Sequence, residues 1–320
     1  MMALVPATEE PAASGVTASA AGPAPQLSVI IPHLNTPDLL ARCLDSLLAQ
    51  SLPAGRFEVI VVDNGSRVPL DAVMERFPTV RFMLEPRPGP GLARNLGVAA
   101  SGSACLAFID ADCIAGPGWI AAAHAAAAAG SIAGGRIRIA VANPAHMSGA
   151  EAFECVFGFR QAEYIARKHF SVTANLAMPR AAFEEVGPFG DIHIAEDLDW
   201  GRRAHRAGKA LTYLPDMLVF HPPRPDLPAL KRKFDRLLEH DWREHVQSGR
   251  RGWRWWARAA AMALSPLLDW GRIALSPEVE GLGNRWRGIA TLFAIRWYRA
   301  RRMATIAAAP PSAGAMMWNR

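Results

Sequence analysis

The chain is poor in cysteine, with four in 320 residues and none in a C-x-x-C pair. That excludes a disulfide framework and the usual zinc-site spacing. Cys43, Cys105, Cys113 and Cys155 are scattered, as small core residues of a reduced, cytosolic protein are. Uninterrupted apolar runs are missing too. Of the two most apolar C-terminal segments, one is broken by Arg258, Pro266, Asp269 and Arg272, and the other is closed in between Arg287 and Arg296. Both fall short of the ~20 residues a membrane-spanning helix needs. No G-x-G-x-x-G follows the first apolar segment, so a dinucleotide-binding turn is not supported. Residues 1–26 lack the basic start and apolar centre of a signal peptide, and Glu9 and Glu10 oppose one. Their Ala, Pro, Ser and Gly content predicts a disordered leader. There is no internal repeat.

What is present is a chain with 51% hydrophobic residues, enough for a large core with an appendage. Leu27 to Ile31 reads as a first strand stopped by Pro32. Thr36 to Gln50 places Leu39, Leu40, Cys43, Leu44, Leu47 and Leu48 at helical spacing, behind a Thr36-Pro37 start. Phe57 to Val62 is a second strand that ends in the turn cluster Asp63-Asn-Gly-Ser66. A helix over 70–77, a strand over 80–84, a helix over 91–100 and a strand over 105–109 follow. This alternation predicts a doubly wound, mostly parallel α/β sheet. Helices are expected over 118–129, 151–168, 180–186 and 196–207. Extended segments are expected over 135–141, within 170–178, and over 211–214 and 217–220.

The fourth strand leads into Asp110-Ala-Asp112. Side chains two apart in extended chain point the same way, and ligands of open α/β sheets bind at the carboxyl ends of strands. Two carboxylates there suit a hard divalent cation, Mg²⁺ or Mn²⁺, completed by substrate phosphates. The plainer alternative is a loop start with two solvated carboxylates. Asn35, Asp63 and Asp110/Asp112 should converge on one crevice.

Five segments now stand in order: Pro32-His-Leu-Asn35, Val61-Val-Asp-Asn-Gly-Ser66, Gly91-Leu-Ala-Arg-Asn-Leu-Gly97, Phe108-Ile-Asp-Ala-Asp112 and Glu196-Asp197. Together they resemble the family 2 glycosyltransferases, inverting metal-dependent enzymes with the GT-A fold. The resemblance covers about residues 27–222. It implies that Pro32 and Asn35 lie along a nucleotide and that Asp63 accepts a hydrogen bond from its base. Arg94 would support the base or diphosphate, Asp110 the ribose, and Asp112 the metal. His221 matches a further metal ligand of some members, and Asp197 the general base. Leu34 departs from the family's frequent aromatic residue at that position, which alters the expected contact with the base.

Helix phase sorts the acidic cluster Glu196-Asp-Leu-Asp199. Asp197, Trp200 and Ala204 share a face, whereas Asp199 lies about 200° away at ~100° per residue. Asp199 is four residues before Arg203 and suits an ion pair with it. Asp197 is therefore the expected base, with Glu196 at the helix start as the alternative. All three could instead simply complement the helix N-terminus. Asn175 is a candidate for the acceptor side or for turn-type hydrogen bonding, and Cys105 and Cys113 beside the acidic pair read as packing.

Net charge is +6, and most of the surplus follows Lys231. Residues 226–320 read as a basic, Trp-rich helical extension of a domain over 27–225. Trp and Arg beside apolar runs are characteristic of a membrane-water interface, so in-plane helices on an anionic membrane are expected. The other possibility is an ordinary helical subdomain with Trp as core. The catalytic motifs give no support for nucleic acid. The reading as a whole is transfer of a sugar from a nucleoside-diphosphate sugar, UDP-linked, to a lipid-linked, polysaccharide or other cell-envelope acceptor at the inner face of the membrane. A nucleotidyltransferase would need a basic glycine-rich loop after the first strand, which Pro32-His-Leu-Asn35 is not. A catalytically silent binding module would tolerate Asp197→Asn.

Overall fold

The structure, a computed structural model, describes residues 24–50, 56–192 and 194–308. The expected leader falls almost wholly outside them. The strands are β1 (Leu27–His33), β2 (Phe57–Asp63), β3 (Arg81–Leu84), β4 (Cys105–Ile109), β5 (Ile114–Ala115), β6 (Ile132–Ile139), β7 (Asn175–Pro179) and β8 (Leu211–His221). The helices between them are α1 (Pro37–Leu48), α2 (Asp71–Arg76), α3 (Pro90–Ala100), α4 (Trp119–Ala128), α5 (Gly149–Phe157), α6 (Gln161–Glu163), α7 (Arg180–Val186) and α8 (Glu196–Arg206). Four more follow: α9 (Leu227–Gln247), α10 (Gly252–Leu264), α11 (Pro266–Ala274) and α12 (Leu282–Ala308).

Among the described residues one eight-stranded sheet runs in the order β3-β2-β1-β4-β7-β6-β8-β5. The first four positions are parallel. Beyond them the sheet is mixed: β7 opposes β4 and β6, β8 runs with β6, and β5 opposes β8. The two extended segments expected over 211–220 are one strand, β8, whose pairing to β6 slips at Gly135/Arg136.

Side-chain alternation builds the two faces. Val29, Ile31, Val61 and Ala107 pack with Leu40, Leu44, Val73 and Trp119 under α1, α2 and α4. On the other face Leu106 and Phe108 meet Phe183, Phe189, Trp200 and Ala204 of α7, α8 and the segment between them. α3 covers the same face, where Ala93 packs on Ile60 and Val62. Glycine permits two close approaches. A Cβ on Gly97 would stand 2.5 Å from Ile30 Cγ2, and one on Gly201 would stand 2.5 Å from Phe170 Cβ. These seat α3 on β1 and α8 on the 169–170 segment.

The helix expected over 151–168 is broken. α5 ends at Phe157, and α6 passes directly into a π turn over Tyr164–Lys168. The break places Phe159 against the His221 ring, with centroids 4.8 Å apart.

The C-terminal helices share a core with α5: Phe153, Leu230, Phe234, Ile273, Leu292 and Ile295 are buried together. A further cluster joins Leu238, Trp255, Met303 and Ile306. Trp255 Nε1 donates to the Met303 carbonyl at 2.9 Å. This tryptophan is core, as the subdomain alternative requires, whereas Trp253, Trp256, Trp270, Trp286 and Trp297 are at least half exposed. Among the described residues, no helix is long and apolar enough to cross a membrane.

Candidate active site

A hollow of about 620 Å³ opens at the carboxyl ends of β1, β2 and β4, where ligands of such sheets bind. Its wall includes Pro32, Asn35, Arg94, Asp110, Asp112, Glu196, Asp197 and His221. Eight of the nine residues singled out from the sequence thus meet at one opening. Asp63, the ninth, does not line it.

Asp63 instead braces the rim. Its carboxylate accepts hydrogen bonds from the Ser66 backbone N–H at 3.0 Å and from the Ser66 hydroxyl at 2.5 Å. Its third contact is His33 Nδ1 at 3.0 Å. His33 Nε2 accepts the Thr36 N–H at 3.1 Å, so the ring proton sits on Nδ1 and is donated to Asp63. Burial pushes the Asp63 pKa up, but the bonds from Ser66 and His33 outweigh it and hold the group below the ordinary range. Thr36 makes no side-chain cap; its N–H is committed to His33 Nε2.

The neighbouring loops are tied together. Asn35, with φ +57°, accepts the Arg67 N–H at 2.7 Å through its side chain. Asn64 donates to the Glu85 and Arg87 carbonyls and accepts the Gly89 N–H at 2.7 Å. His33 and Asn64 were not candidates from the sequence, although the turn cluster containing Asn64 was. The available signal for His33 was a histidine at the end of an otherwise apolar buried strand.

Arg94 spans the two halves of the site. It is buried, and it donates from Nη2 to Asp110 Oδ1 at 2.6 Å and from Nη1 to Glu196 Oε1 at 3.0 Å. Burial works against its charge, yet Asp110 and Glu196 outweigh burial and raise its pKa. The arginine therefore ties the end of β4 to the start of α8. Asp110 and Glu196 each spend an oxygen on that tie.

Asp112 and His221 face each other, with Nε2 3.5 Å from Oδ2. His221 Nδ1 lies 2.7 Å from the Pro222 carbonyl. A carbonyl only accepts, so Nδ1 carries a proton, and Nε2 is the ring nitrogen turned toward the carboxylate. Burial raises the Asp112 pKa, with His221 acting in the opposite direction and Asp110 adding to the rise. Two electron-pair donors facing one another, one with its far nitrogen anchored to a carbonyl, form a donor set that fits a divalent cation. Among the described residues no group of three or more His, Cys, Asp or Glu could hold a metal alone. A cation here would depend on substrate oxygens, as Mg²⁺ commonly does.

Asp197 is the second residue of α8, directly after Glu196. Burial first, then the negative charge of Glu196, pushes its pKa to about 7. Its Oδ1 accepts the Leu198 N–H at 2.7 Å. The helix-phase sorting holds: Trp200 and Ala204 are buried, while Asp199 pairs with Arg203 Nε at 2.8 Å.

Asn175 lies away from the hollow. It is fully buried, accepts from Trp119 Nε1 at 2.9 Å, and donates to the Arg136 and Met217 carbonyls at 2.9 and 2.7 Å. It satisfies the backbone groups that the β6/β8 slip leaves unpaired. Cys43, Cys105 and Cys113 are buried, and burial pushes their thiols up, so they pack and do not react.

A crevice at the strand ends, with an acidic pair in its floor and a second acidic group on a helix across from it, defines a group-transfer enzyme of the GT-A architecture. The chain belongs to the family 2 glycosyltransferases: the family described as Glycosyl transferase family 2 matches residues 28–187. The glycosyltransferase AglE of Haloferax volcanii is 32% identical over 218 residues, 66% of this chain and 71% of that protein. The pre-mycofactocin glycosyltransferase of Mycobacterium tuberculosis is 29% identical over 211 residues, 63% of this chain but only 43% of that protein. Among solved structures, the mannosyltransferase PcManGT of Pyrobaculum calidifontis, in complex with GDP-Man and Mn²⁺, superposes with a TM-score of 0.56. At 18% identity over 90% of this chain and 88% of that one, that likeness is one of fold.

Proposed function

We propose that the protein transfers a sugar from a nucleoside-diphosphate sugar, UDP-linked, to a hydroxyl of a lipid-linked, polysaccharide or other cell-envelope acceptor, with inversion at the anomeric carbon. The observation that carries this reading is that Asp112 and His221 share one hollow with Asp197, whose pKa is pushed to about 7. A general base works best when poised near the operating pH.

In this reading the acceptor oxygen attacks the anomeric carbon from the face opposite the nucleotide. The bond from that carbon to the diphosphate breaks, and the nucleoside diphosphate leaves with the electron pair. The acceptor proton passes to the Asp197 carboxylate, a contribution of about 10²–10⁴-fold. Glu196 is the less available base, because Arg94 already holds one of its oxygens. Pro32 and Asn35 lie along the nucleotide, and Asp63 acts on the base side, through the rim it braces. Asp110 lies on the ribose side, and Arg94 supports the base or diphosphate. Asp112 and His221 would hold Mg²⁺ or Mn²⁺. Such a cation supplies Lewis-acid neutralisation of charge on the leaving diphosphate. In this reading the acceptor lies at the inner face of the cell membrane.

The test is a donor panel of UDP-, GDP- and dTDP-sugars, with and without Mn²⁺. GDP-mannose belongs in it because the mannosyltransferase of the same fold is described with it. At least one donor should raise the melting temperature in a Mn²⁺-dependent way that Asp112→Asn abolishes, and should release nucleotide when membrane extract supplies acceptor. If no donor stabilises the protein and none is consumed, the reading is wrong.

A further inference from the structure

We propose that the outward face of α10 and α11 is a docking surface for an anionic lipid bilayer. The two helices are joined at Ser265, which itself has helical dihedrals. At ~100° per residue, Trp253, Ala257, Ala260, Leu264, Leu267 and Leu275 fall within about 40° of one line. All six are exposed. Trp256 and Leu268 flank the line, and Leu268 and Leu275 are 86% and 85% exposed. Trp255, Ala259 and Ile273 on the opposite side are buried. The helices are therefore apolar on two sides, one spent on the core and one turned to solvent. A single exposed leucine needs no explanation, but a continuous stripe marks an interaction surface.

Charge selects the occupant. Residues 250–275 carry Arg250, Arg251, Arg254, Arg258 and Arg272 against Asp269; Arg250, Arg258 and Arg272 face Glu244, Asp241 and Asp269, whereas Arg251 and Arg254 have no ion pair among the described residues. Arg254 is exposed. Two copies of this face packed together would set arginines against arginines, which opposes association. Anionic headgroups satisfy the arginines while the stripe enters the acyl boundary. Trp297 extends the surface onto α12: it is 57% exposed, and its Nε1 donates to the Ala263 carbonyl at 3.1 Å. Aromatic rings of this kind favour the headgroup level.

The inference rests on the reading of an acceptor at the membrane face, but its test uses neither donor nor acceptor, so the two can fail separately. The probe is vesicle co-sedimentation with equimolar phosphatidylglycerol and phosphatidylcholine, against phosphatidylcholine alone, at low salt. The full chain should bind the anionic vesicles and much less to the neutral ones. Leu264→Asp with Leu268→Asp should cut binding by at least about tenfold. Arg254→Glu should cut it several-fold on anionic vesicles only. Both variants replace exposed groups and should keep the wild-type circular-dichroism melt. Failure of the wild type to bind anionic vesicles overturns the proposal. So does unchanged binding by the double variant, or a concentration-dependent dimer that the double variant abolishes while vesicles stay unbound.

Discussion

Two groups of carboxylates stand at the same edge of the sheet and are treated in opposite ways. At the rim, Asp63 is held by Ser66 and His33, and its pKa is lowered despite burial. In the hollow, burial wins, and Asp112 and Asp197 are both raised. The first group is saturated with hydrogen bonds and favours the fold. The second is left under-compensated, which costs the fold stability and leaves the groups ready for ligands. The contrast separates rim from hollow more sharply than residue type does, since all three are aspartates.

Asp197→Asn should break the contrast most strongly. Transfer should fall by about 10²–10⁴-fold while donor-induced thermal stabilisation persists, measured as released nucleotide and as melting shift. The pH dependence has a definite sign. Asp197 keeps its proton in the folded state up to about pH 7, whereas the unfolded chain releases it near the ordinary value of 3.8. The unfolded state therefore binds fewer protons across that interval, and this group's contribution to stability is lost as pH rises through it. Transfer, which needs the carboxylate, should rise through the same interval. At pH 8 the asparagine variant should be more stable than the wild type by about 1–2 kcal/mol. That is less than the full displacement implies, because the group borders an open hollow. Loss of activity without that gain would place Asp197 outside the under-compensated set. The lowered Asp63 contributes with the opposite sign, its stabilisation being lost as pH falls through its folded pKa.

Arg94→Met comes next. Removing one member of a buried ion pair typically costs about 3–5 kcal/mol, because the remaining charge is stranded. Here two carboxylates, Asp110 and Glu196, would be stranded. Arg76→Met is the control: its pair with Asp45 is about half exposed on both sides, and such pairs are worth about 0–1 kcal/mol. Urea denaturation of both variants would measure the difference. Equal costs would mean that Arg94 does not tie the β4 end to α8.

Much of this was legible because it is local. Strand runs such as Val59 to Val62, the Asp63-Asn-Gly-Ser66 turn and the phase of Glu196 to Ala204 follow from spacing alone, and the parallel first half of the sheet followed from their alternation. What could not be read depends on partners far along the chain. Antiparallel β7 between β4 and β6 is set by pairings such as Phe108 with Leu176 and Ala133 with Ala177, which no local pattern carries. Asn175 could be read two ways because its partners, Trp119, Arg136 and Met217, come from three separate elements. The break after Phe157 goes against a helix-compatible sequence, and tertiary packing of Phe159 on His221 accompanies it. The role of His33 is hidden for the same reason: its partner Asp63 lies 30 residues away. In the extension, composition indicated tryptophan at a surface, but only packing separates Trp255, buried, from Trp253 and Trp256, exposed.

The smallest expected effect sharpens the comparison most finely. Asp199 lies two residues from Asp197, on the other side of α8, where it meets Arg203 at 2.8 Å. Both partners are about a quarter to a third exposed, so the pair is worth only about 0.3–0.5 kcal/mol, as i,i+4 pairs on helices are. Asp199→Asn should therefore lower stability by no more than that and leave transfer within about twofold of wild type. Arg203→Ala should cost more than Asp199→Asn, since Arg203 also donates to the Val186 and Pro188 carbonyls at 2.6 Å each. Two aspartates on one turn, differing in transfer by about 10²-fold or more, would show that helix phase, rather than proximity in sequence, decides which carboxylate meets the acceptor. If Asp199→Asn instead abolished transfer, with α8 intact by circular dichroism, the assignment of the base to the Asp197 face would be overturned.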